Sequence, residues 1–230
     1  TSTVQANTKA GFSIVTYTGN GSSAQSIGHG LSSGSPEFII VKNRSAGDDW
    51  AIYHHSLGNS AHIILNSSAA QTTSSAYWGS FTPTTTLFKV GSDHKLNASS
   101  ENYVAYLWHG VEGFSKFGTY TGNGNDDGPF IYTGGKPSLV AIKWVTGVNS
   151  AEDWGVFDTA RSTSNPSSND STSQLQWNRN VAGSNTSSHK IDFLSNGFKL
   201  RGNGGLNNTS GATYIYMCWN SVPFKYNNSF

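Results

Sequence analysis

Short apolar stretches recur along the chain, each bounded by Gly, Asn, Ser or Pro. They are rich in β-branched and aromatic residues, as in residues 13–17, 37–41, 50–53 and 103–108, and they show no period of about 3.6 residues. Strand-like segments spaced by about 8–12 residues are typical of antiparallel sandwiches and barrels. The pattern predicts an all-β protein.

The same series of segments occurs twice. The sequence GFSIVTYTGNG, which begins at Gly11, returns at Gly113 as GFSKFGTYTGNG, and PEFIIVK at residues 36–42 returns as PSLVAIK at residues 137–143. A period of about 100 residues exceeds that of solenoid repeats and suits one small domain per copy. We interpret the chain as a tandem duplication.

The two copies follow each other without a flexible linker. Residues 108–117 lead almost directly from the last strand of the first copy into the first strand of the second. We therefore predict two homologous antiparallel β-sandwich repeats, packed together, in residues 1–112 and 113–230. Each contains a Gly-Asn-Gly sequence, which predicts a tight turn because Gly and Asn tolerate positive φ.

Composition narrows the class of protein. The 230 residues are 12% charged and 13% aromatic, with a net charge of +1, and such sparse charge is typical of extracellular or virion β proteins rather than helical ones. A nucleic-acid partner would require a basic face, and membrane insertion would require an apolar stretch of about 18 residues. We expect neither. The chain starts at Thr1, so we also expect it to be a processed or excised piece of a longer protein.

Candidate ligand contacts combine aromatic rings with polar neighbours. Asp49 and Asp153 each precede a Trp in both copies, and an aromatic ring beside a carboxylate is a known way to hold a sugar. The alternative is that each Trp belongs to the core and each Asp stabilises a turn. Aromatic residues that differ between copies are further candidates for surface contacts, and these are Tyr77, Trp78, Trp144 and Trp177.

Catalytic and metal-binding patterns are not apparent in the sequence. No G-x-S-x-G elbow, P-loop or HExxH sequence occurs, and the seven histidines are too scattered to suggest a zinc site. We therefore expect no enzyme activity, no metal and no cofactor. The single cysteine, Cys218, lies in an apolar run and is predicted to be a buried strand residue.

Several segments, including GFSIVTYTGNGSSAQSIGHGL, PEFIIVKNRSAGDDWAIYH, GPFIYTGGKPSLVAIKW and the closing VPFKY, make the chain similar to a duplicated module of tailed-phage structural proteins. The similarity covers residues 11–226. Such modules, found mainly in marine phages and prophages, resemble lectin-like or SPRY-like jelly rolls and occur in tail fibres and other virion-surface proteins. The resemblance implies adhesion, but it supplies no catalytic residues.

The resemblance implies a phage virion-surface module, of tail-fibre type, that binds a host-surface glycan or receptor without catalysis. Its expected location is the virion surface, outside the cell. The alternative is a purely structural subunit, such as a capsid decoration or an extracellular filament protein, whose aromatic surfaces bury against other copies. We expect a homo-oligomer, or contacts with other virion proteins, in either case.

Overall fold

The computed structural model describes residues 2–147, 151–161, 174–183 and 188–221. The chain is all-β with antiparallel strands, which confirms the predicted all-β class. It divides into two compact units. Unit 1 comprises Thr1–Asn66 and Gln71–Val111, and unit 2 comprises Ser67–Ala70 and Glu112–Phe230.

Unit 1 contains a large and a small sheet. The large sheet has the strand order β1-β2-β9-β4-β5-β6-β7, and β3 pairs with β8 in the small sheet. The strands are β1 (Ser2–Asn7), β2 (Phe12–Thr18), β3 (Gln25–Gly28), β4 (Phe38–Asn43), β5 (Ala51–His54), β6 (Ala61–Ile64), β7 (Thr72–Thr73), β8 (Leu87–Val90) and β9 (Asn102–Trp108). Its short helices are the 3-10 helix His55–Leu57, α1 (Ser75–Trp78) and α2 (His94–Asn97).

The core of unit 1 contains residues of both sheets. Val15 and Tyr103 of the large sheet belong to the same buried cluster as Ile27 and Phe88 of the small sheet. Alternate residues of β2 are buried in this way because successive side chains of a strand point to opposite faces. The arrangement is that of a β-sandwich.

Unit 2 is built from a four-stranded and a three-stranded sheet, with orders β10-β16-β12-β13 and β11-β15-β14. The strands are β10 (Ser115–Thr121), β11 (Phe130–Tyr132), β12 (Pro137–Thr146), β13 (Gly155–Asp158), β14 (Ile191–Leu194), β15 (Gly197–Leu200) and β16 (Thr213–Asn220). Ile142 and Tyr216 of the first sheet share a buried cluster with Ile131 and Phe198 of the second.

Equivalent turns follow the first repeated strand of each unit. Gly21 and Gly124 have φ values of 69° and 67°, which is the positive φ predicted for the Gly-Asn-Gly turns. The first glycine of each turn is required by a close approach instead. A Cβ at Gly19 would lie 2.2 Å from the carbonyl oxygen of Ala98, a distance that excludes any side chain.

Cys218 is buried in the core of unit 2, as predicted. Burial raises the pKa of its thiol to about 12, so the protonated form dominates at neutral pH. A neutral, enclosed thiol is a structural residue and not a nucleophile.

Lys143 of β12 is also fully buried. Its Nζ donates to the carbonyl oxygen of Ser68 at 2.8 Å and to that of Glu152. The Glu152 backbone N–H donates to the same Ser68 oxygen at 3.1 Å. Burial lowers the pKa of Lys143 to about 8, and the two carbonyl groups compensate the ammonium for the water it has lost.

In the part of the chain that the structure describes, the helices are all too short to span a lipid bilayer.

Candidate functional site

The two Asp-Trp pairs are held in the same way by an asparagine. Asn66 Nδ2 donates to Asp49 Oδ1 at 2.9 Å, and its Oδ1 accepts the Trp50 backbone N–H at 3.1 Å. Asn178 makes the equivalent bonds to Asp153 Oδ1 at 2.7 Å and from the Trp154 N–H at 3.0 Å. These bonds fit the alternative in which the aspartates stabilise turns.

Asp153 accepts two further hydrogen bonds. Its Oδ2 receives Gln176 Nε2 at 3.1 Å and Arg179 Nη1 at 3.0 Å. The ring beside it, Trp154, is fully buried, and Trp177 packs against that ring with centroids 5.8 Å apart and is itself half-buried. The carboxylate and both rings therefore serve packing within unit 2.

The other predicted aromatic contacts lie in the two cores. Trp78 and Tyr77 are buried in unit 1, where Trp78 packs edge-on against Tyr53 and Tyr77 stacks on His62. Trp144 is buried in unit 2. These three rings were predicted to make surface contacts because they differ between the copies, yet they are buried. Their burial lends no support to a role in ligand contact.

The six predicted residues are divided equally between the two units. Asp49, Tyr77 and Trp78 belong to unit 1, whereas Trp144, Asp153 and Trp177 belong to unit 2.

Among the residues that the structure describes, the exposed aromatic side chains lie instead on β11 of unit 2. Phe130 and Tyr132 are 45% and 56% exposed, and they flank the buried Ile131. Because side chains alternate along a strand, the two rings emerge on the same face of the three-stranded sheet. On β15 the partner of Tyr132 is Gly197, where a Cβ would lie 2.1 Å from the Ile131 carbonyl oxygen and 2.9 Å from the tip of the Phe130 ring. The glycine thus makes room for Phe130 to lie over the neighbouring strand.

Charged side chains surround the two rings. Lys199 is the cross-strand partner of Phe130, and its Nζ lies 3.0 Å from Asp127 Oδ1. On the other flank, Lys116 Nζ lies 4.9 Å from the centroid of the Tyr132 ring and donates to the Tyr132 carbonyl at 2.9 Å. We call this surface the aromatic face and define it by six residues: Lys116, Asp127, Phe130, Tyr132, Lys199 and Arg201.

Arg201 joins the aromatic face to Asp192 of β14, whose side chain is almost completely buried. Its Nε donates to Asp192 Oδ2 at 2.6 Å, and its Nη1 lies 3.2 Å from Asp127 Oδ1. The cations Lys199 and Arg201 lower the pKa of the exposed Asp127 carboxyl. The face therefore combines apolar rings with charged groups of both signs, which suits a ligand that has one apolar surface and several polar groups.

Unit 1 has no aromatic pair at the equivalent place in its described strands. Ile27 of β3 pairs with Phe88 of β8, as Ile131 of β11 pairs with Phe198 of β15. The residues on either side of Ile27 are Ser26 and Gly28. The aromatic face is thus a feature of unit 2.

A sequence signal for this face does exist. Residues 130–132 read Phe-Ile-Tyr after a glycine-rich turn, and two aromatics separated by one residue share a strand face. The candidate ligand contacts predicted from the sequence are instead tryptophans and residues adjacent to a tryptophan. Neither criterion measures exposure, which depends on tertiary packing.

The described residues also contain no group of three His, Cys, Asp or Glu side chains placed to hold a metal ion.

Fold and surface together define an all-β antiparallel protein of the sandwich type, whose described residues include an exposed aromatic face. The chain belongs to the family described as "Domain of unknown function (DUF7483)", whose model matches residues 1–223. No curated protein and no solved structure matches it.

Proposed function

We propose that this protein is a structural and adhesion module of the tail-fibre type on the surface of a tailed-phage virion, where it binds a host-surface glycan or receptor without catalysis. The similarity to duplicated phage modules supports the virion setting. The aromatic face supports the binding activity and suggests where it takes place.

The exposure of Phe130 and Tyr132 is the observation that carries the proposal. Large apolar rings that are exposed to solvent lower the solubility of a protein, and exposed apolar surface commonly marks a binding site. An aromatic ring can cover the apolar face of a sugar, while neighbouring charged groups bind its hydroxyls. Lys199 and Asp127 lie beside the rings and can take those bonds.

Asp127, the acid of the face, is suited to binding and not to glycoside hydrolysis. A general acid needs a raised pKa, whereas the pKa of Asp127 is lowered by Lys199 and Arg201. Asp192, the other acid bound by Arg201, accepts from Arg201 Nε. The charged groups therefore favour recognition without bond cleavage.

The test is binding of the full chain to an array of bacterial surface glycans. We expect Phe130→Ala and Tyr132→Ala each to weaken binding by about tenfold or more, as for aromatic residues that dominate an interface. Ser26→Ala, at the equivalent strand position of unit 1, is the matched control and should leave binding unchanged. Melting temperatures of the variants verify that they are folded.

Two results would refute the proposal. One is that the folded chain binds no glycan of the array, and the other is that glycans bind with the same affinity after both aromatic rings are removed.

A further inference from the structure

An exposed carboxylate already occupies the space between the two cations of the aromatic face. The Asp127 side chain is 76% exposed, yet its Oδ1 lies 3.0 Å from Lys199 Nζ and 3.2 Å from Arg201 Nη1. Both distances lie within hydrogen-bonding range, and both contacts join opposite charges. The face therefore displays a pair of cations that binds a carboxylate, and that carboxylate is a side chain of the protein itself.

Contacts other than those to Asp127 hold the two cations. Arg201 Nε is bound to Asp192, whose side chain is almost completely buried, at 2.6 Å. Lys199 Nζ donates to the carbonyl of Gly128 at 2.8 Å, and the Gly128 N–H is fixed to the Leu200 carbonyl at 3.1 Å. Both cations would keep their positions if the Asp127 side chain rotated away, and its high exposure leaves it room to do so.

The cations and the rings are adjacent. Lys199 lies directly across from Phe130 in the register of β11 and β15, and facing side chains of an antiparallel pair lie about 5 Å apart. One sugar unit is long enough to cover a ring and place a substituent between the cations. Lys116, beside Tyr132, adds a third positive charge at the other end of the pair.

We propose that the aromatic face binds acidic saccharides of the uronic-acid type. The sugar ring lies on Phe130 and Tyr132, and its carboxylate replaces that of Asp127 between Lys199 and Arg201. A neutral sugar would leave Asp127 between the two cations and would place no charge of its own there. This inference rests on the proposed glycan-binding function and specifies its ligand class.

The experiment compares oligogalacturonate with the same oligosaccharide after its carboxyl groups have been reduced to alcohols. Binding to the full chain is measured by calorimetry at one fixed salt concentration. We expect oligogalacturonate to bind about tenfold more tightly or better, the value of one or two charge-assisted hydrogen bonds. Added salt should weaken this preference.

Two variants test whether the carboxylate of the saccharide replaces that of Asp127. Asp127→Asn removes the competing charge and should tighten oligogalacturonate binding several-fold while leaving the reduced oligosaccharide unaffected. Lys199→Gln should weaken oligogalacturonate binding by about tenfold. Lys89→Gln is the control, because Lys89 faces Ser26 in unit 1 as Lys199 faces Phe130 in unit 2.

The inference is overturned if the reduced oligosaccharide binds as tightly as the acidic one, or if Asp127→Asn leaves acidic binding unchanged or weaker. Such results, with binding still dependent on Phe130 and Tyr132, would leave the proposed glycan-binding function intact. Both proposals are refuted if glycan binding does not depend on Phe130 and Tyr132. They are also refuted if neither probe and no glycan of the array binds.

Discussion

Among individual residues, His62 has an environment that determines its charge. Its ring stacks on Tyr77 with centroids 3.4 Å apart, and its Nε2 lies 2.9 Å from Thr72 Oγ1. Burial lowers the pKa of this histidine to about 4. The imidazole is therefore neutral in the folded protein at all but acidic pH.

This environment predicts loss of stability in acid. Between pH 6.5 and 4 the unfolded chain protonates His62 and the folded chain does not, so the free energy of unfolding falls as pH falls through this range. The loss attributable to His62 is at most about 3 kcal/mol. Urea unfolding at a series of pH values measures it. His62→Phe, which preserves stacking on Tyr77, should reduce the pH dependence, and an unchanged slope would contradict the assignment.

Single-residue predictions from sequence succeeded where the local environment determines the outcome. Cys218 sits in a continuous apolar run and is buried, as expected. Trp78 and Trp144 differ between the copies and are nevertheless buried, because packing partners distant in sequence determine whether a ring is covered. The same dependence on distant packing leaves Phe130 and Tyr132 exposed.

Among the elements, the Gly-Asn-Gly turn of unit 1 depends on one buried asparagine at the end of α2. Asn97 Nδ2 donates to the carbonyls of Ser22 and Gly91, both at 2.9 Å, and its Oδ1 accepts the Asn20 N–H at 2.8 Å. Its backbone carbonyl accepts the Gly21 N–H at 2.9 Å. One side chain thus fastens the turn to two other segments.

Asn208 makes the corresponding bonds in unit 2. Its Nδ2 donates to the carbonyls of Asn125 at 2.8 Å and Gly202 at 2.7 Å, and its Oδ1 accepts the Asn123 N–H at 2.9 Å. The same hydrogen-bonding role therefore occurs at matching places of the two units.

We predict that Asn97→Asp destabilises unit 1 by about 2–4 kcal/mol, because a buried carboxylate would face carbonyl oxygens that have lost their donor. Asn102→Asp is the control: Asn102 is exposed and accepts from Thr18 Oγ1 at 3.2 Å, a bond that Asp can also make. Urea unfolding gives the free energies, and hydrogen exchange at Gly21 reports the turn. Equal effects of the two substitutions would show that the Asn97 side chain does not stabilise the turn.

Strands with strong apolar character could be predicted from sequence, and β2, β4, β5 and β9 overlap the expected segments. The strand β1 reads Ser-Thr-Val-Gln-Ala-Asn and is mostly exposed, so it offers no apolar pattern. It is a strand because β2 supplies hydrogen-bond partners along its whole length. The helices α1 and α2 have four residues each, too few for a helical period to register.

At the scale of the whole molecule, the chain contributes to unit 2 in two separate stretches. Ser67–Ala70 belongs to unit 2, although the residues before and after it belong to unit 1. Within unit 2 the Ser68 carbonyl binds Lys143 and the Glu152 N–H. The boundary predicted from the repeat places residues 67–70 in the first module, because a four-residue polar stretch carries no repeat signal.

Deletion of residues 67–70 should therefore destabilise unit 2, because the buried ammonium of Lys143 would lose an acceptor. We expect a cost of about 1–3 kcal/mol, seen as faster hydrogen exchange in β12 and β13. Replacing the four residues by glycines preserves the backbone carbonyl and should have a smaller effect. Faster exchange confined to β6 and β7 would contradict the prediction.

The restriction of the aromatic face to unit 2 determines the valency of the chain. With Ser26 and Gly28 in unit 1 where unit 2 has Phe130 and Tyr132, the described residues offer one such face per chain. Under the proposed function, one chain would therefore hold a glycan at one point. Firm attachment to a host surface would then depend on how many chains are displayed side by side, because several linked weak contacts together give high avidity.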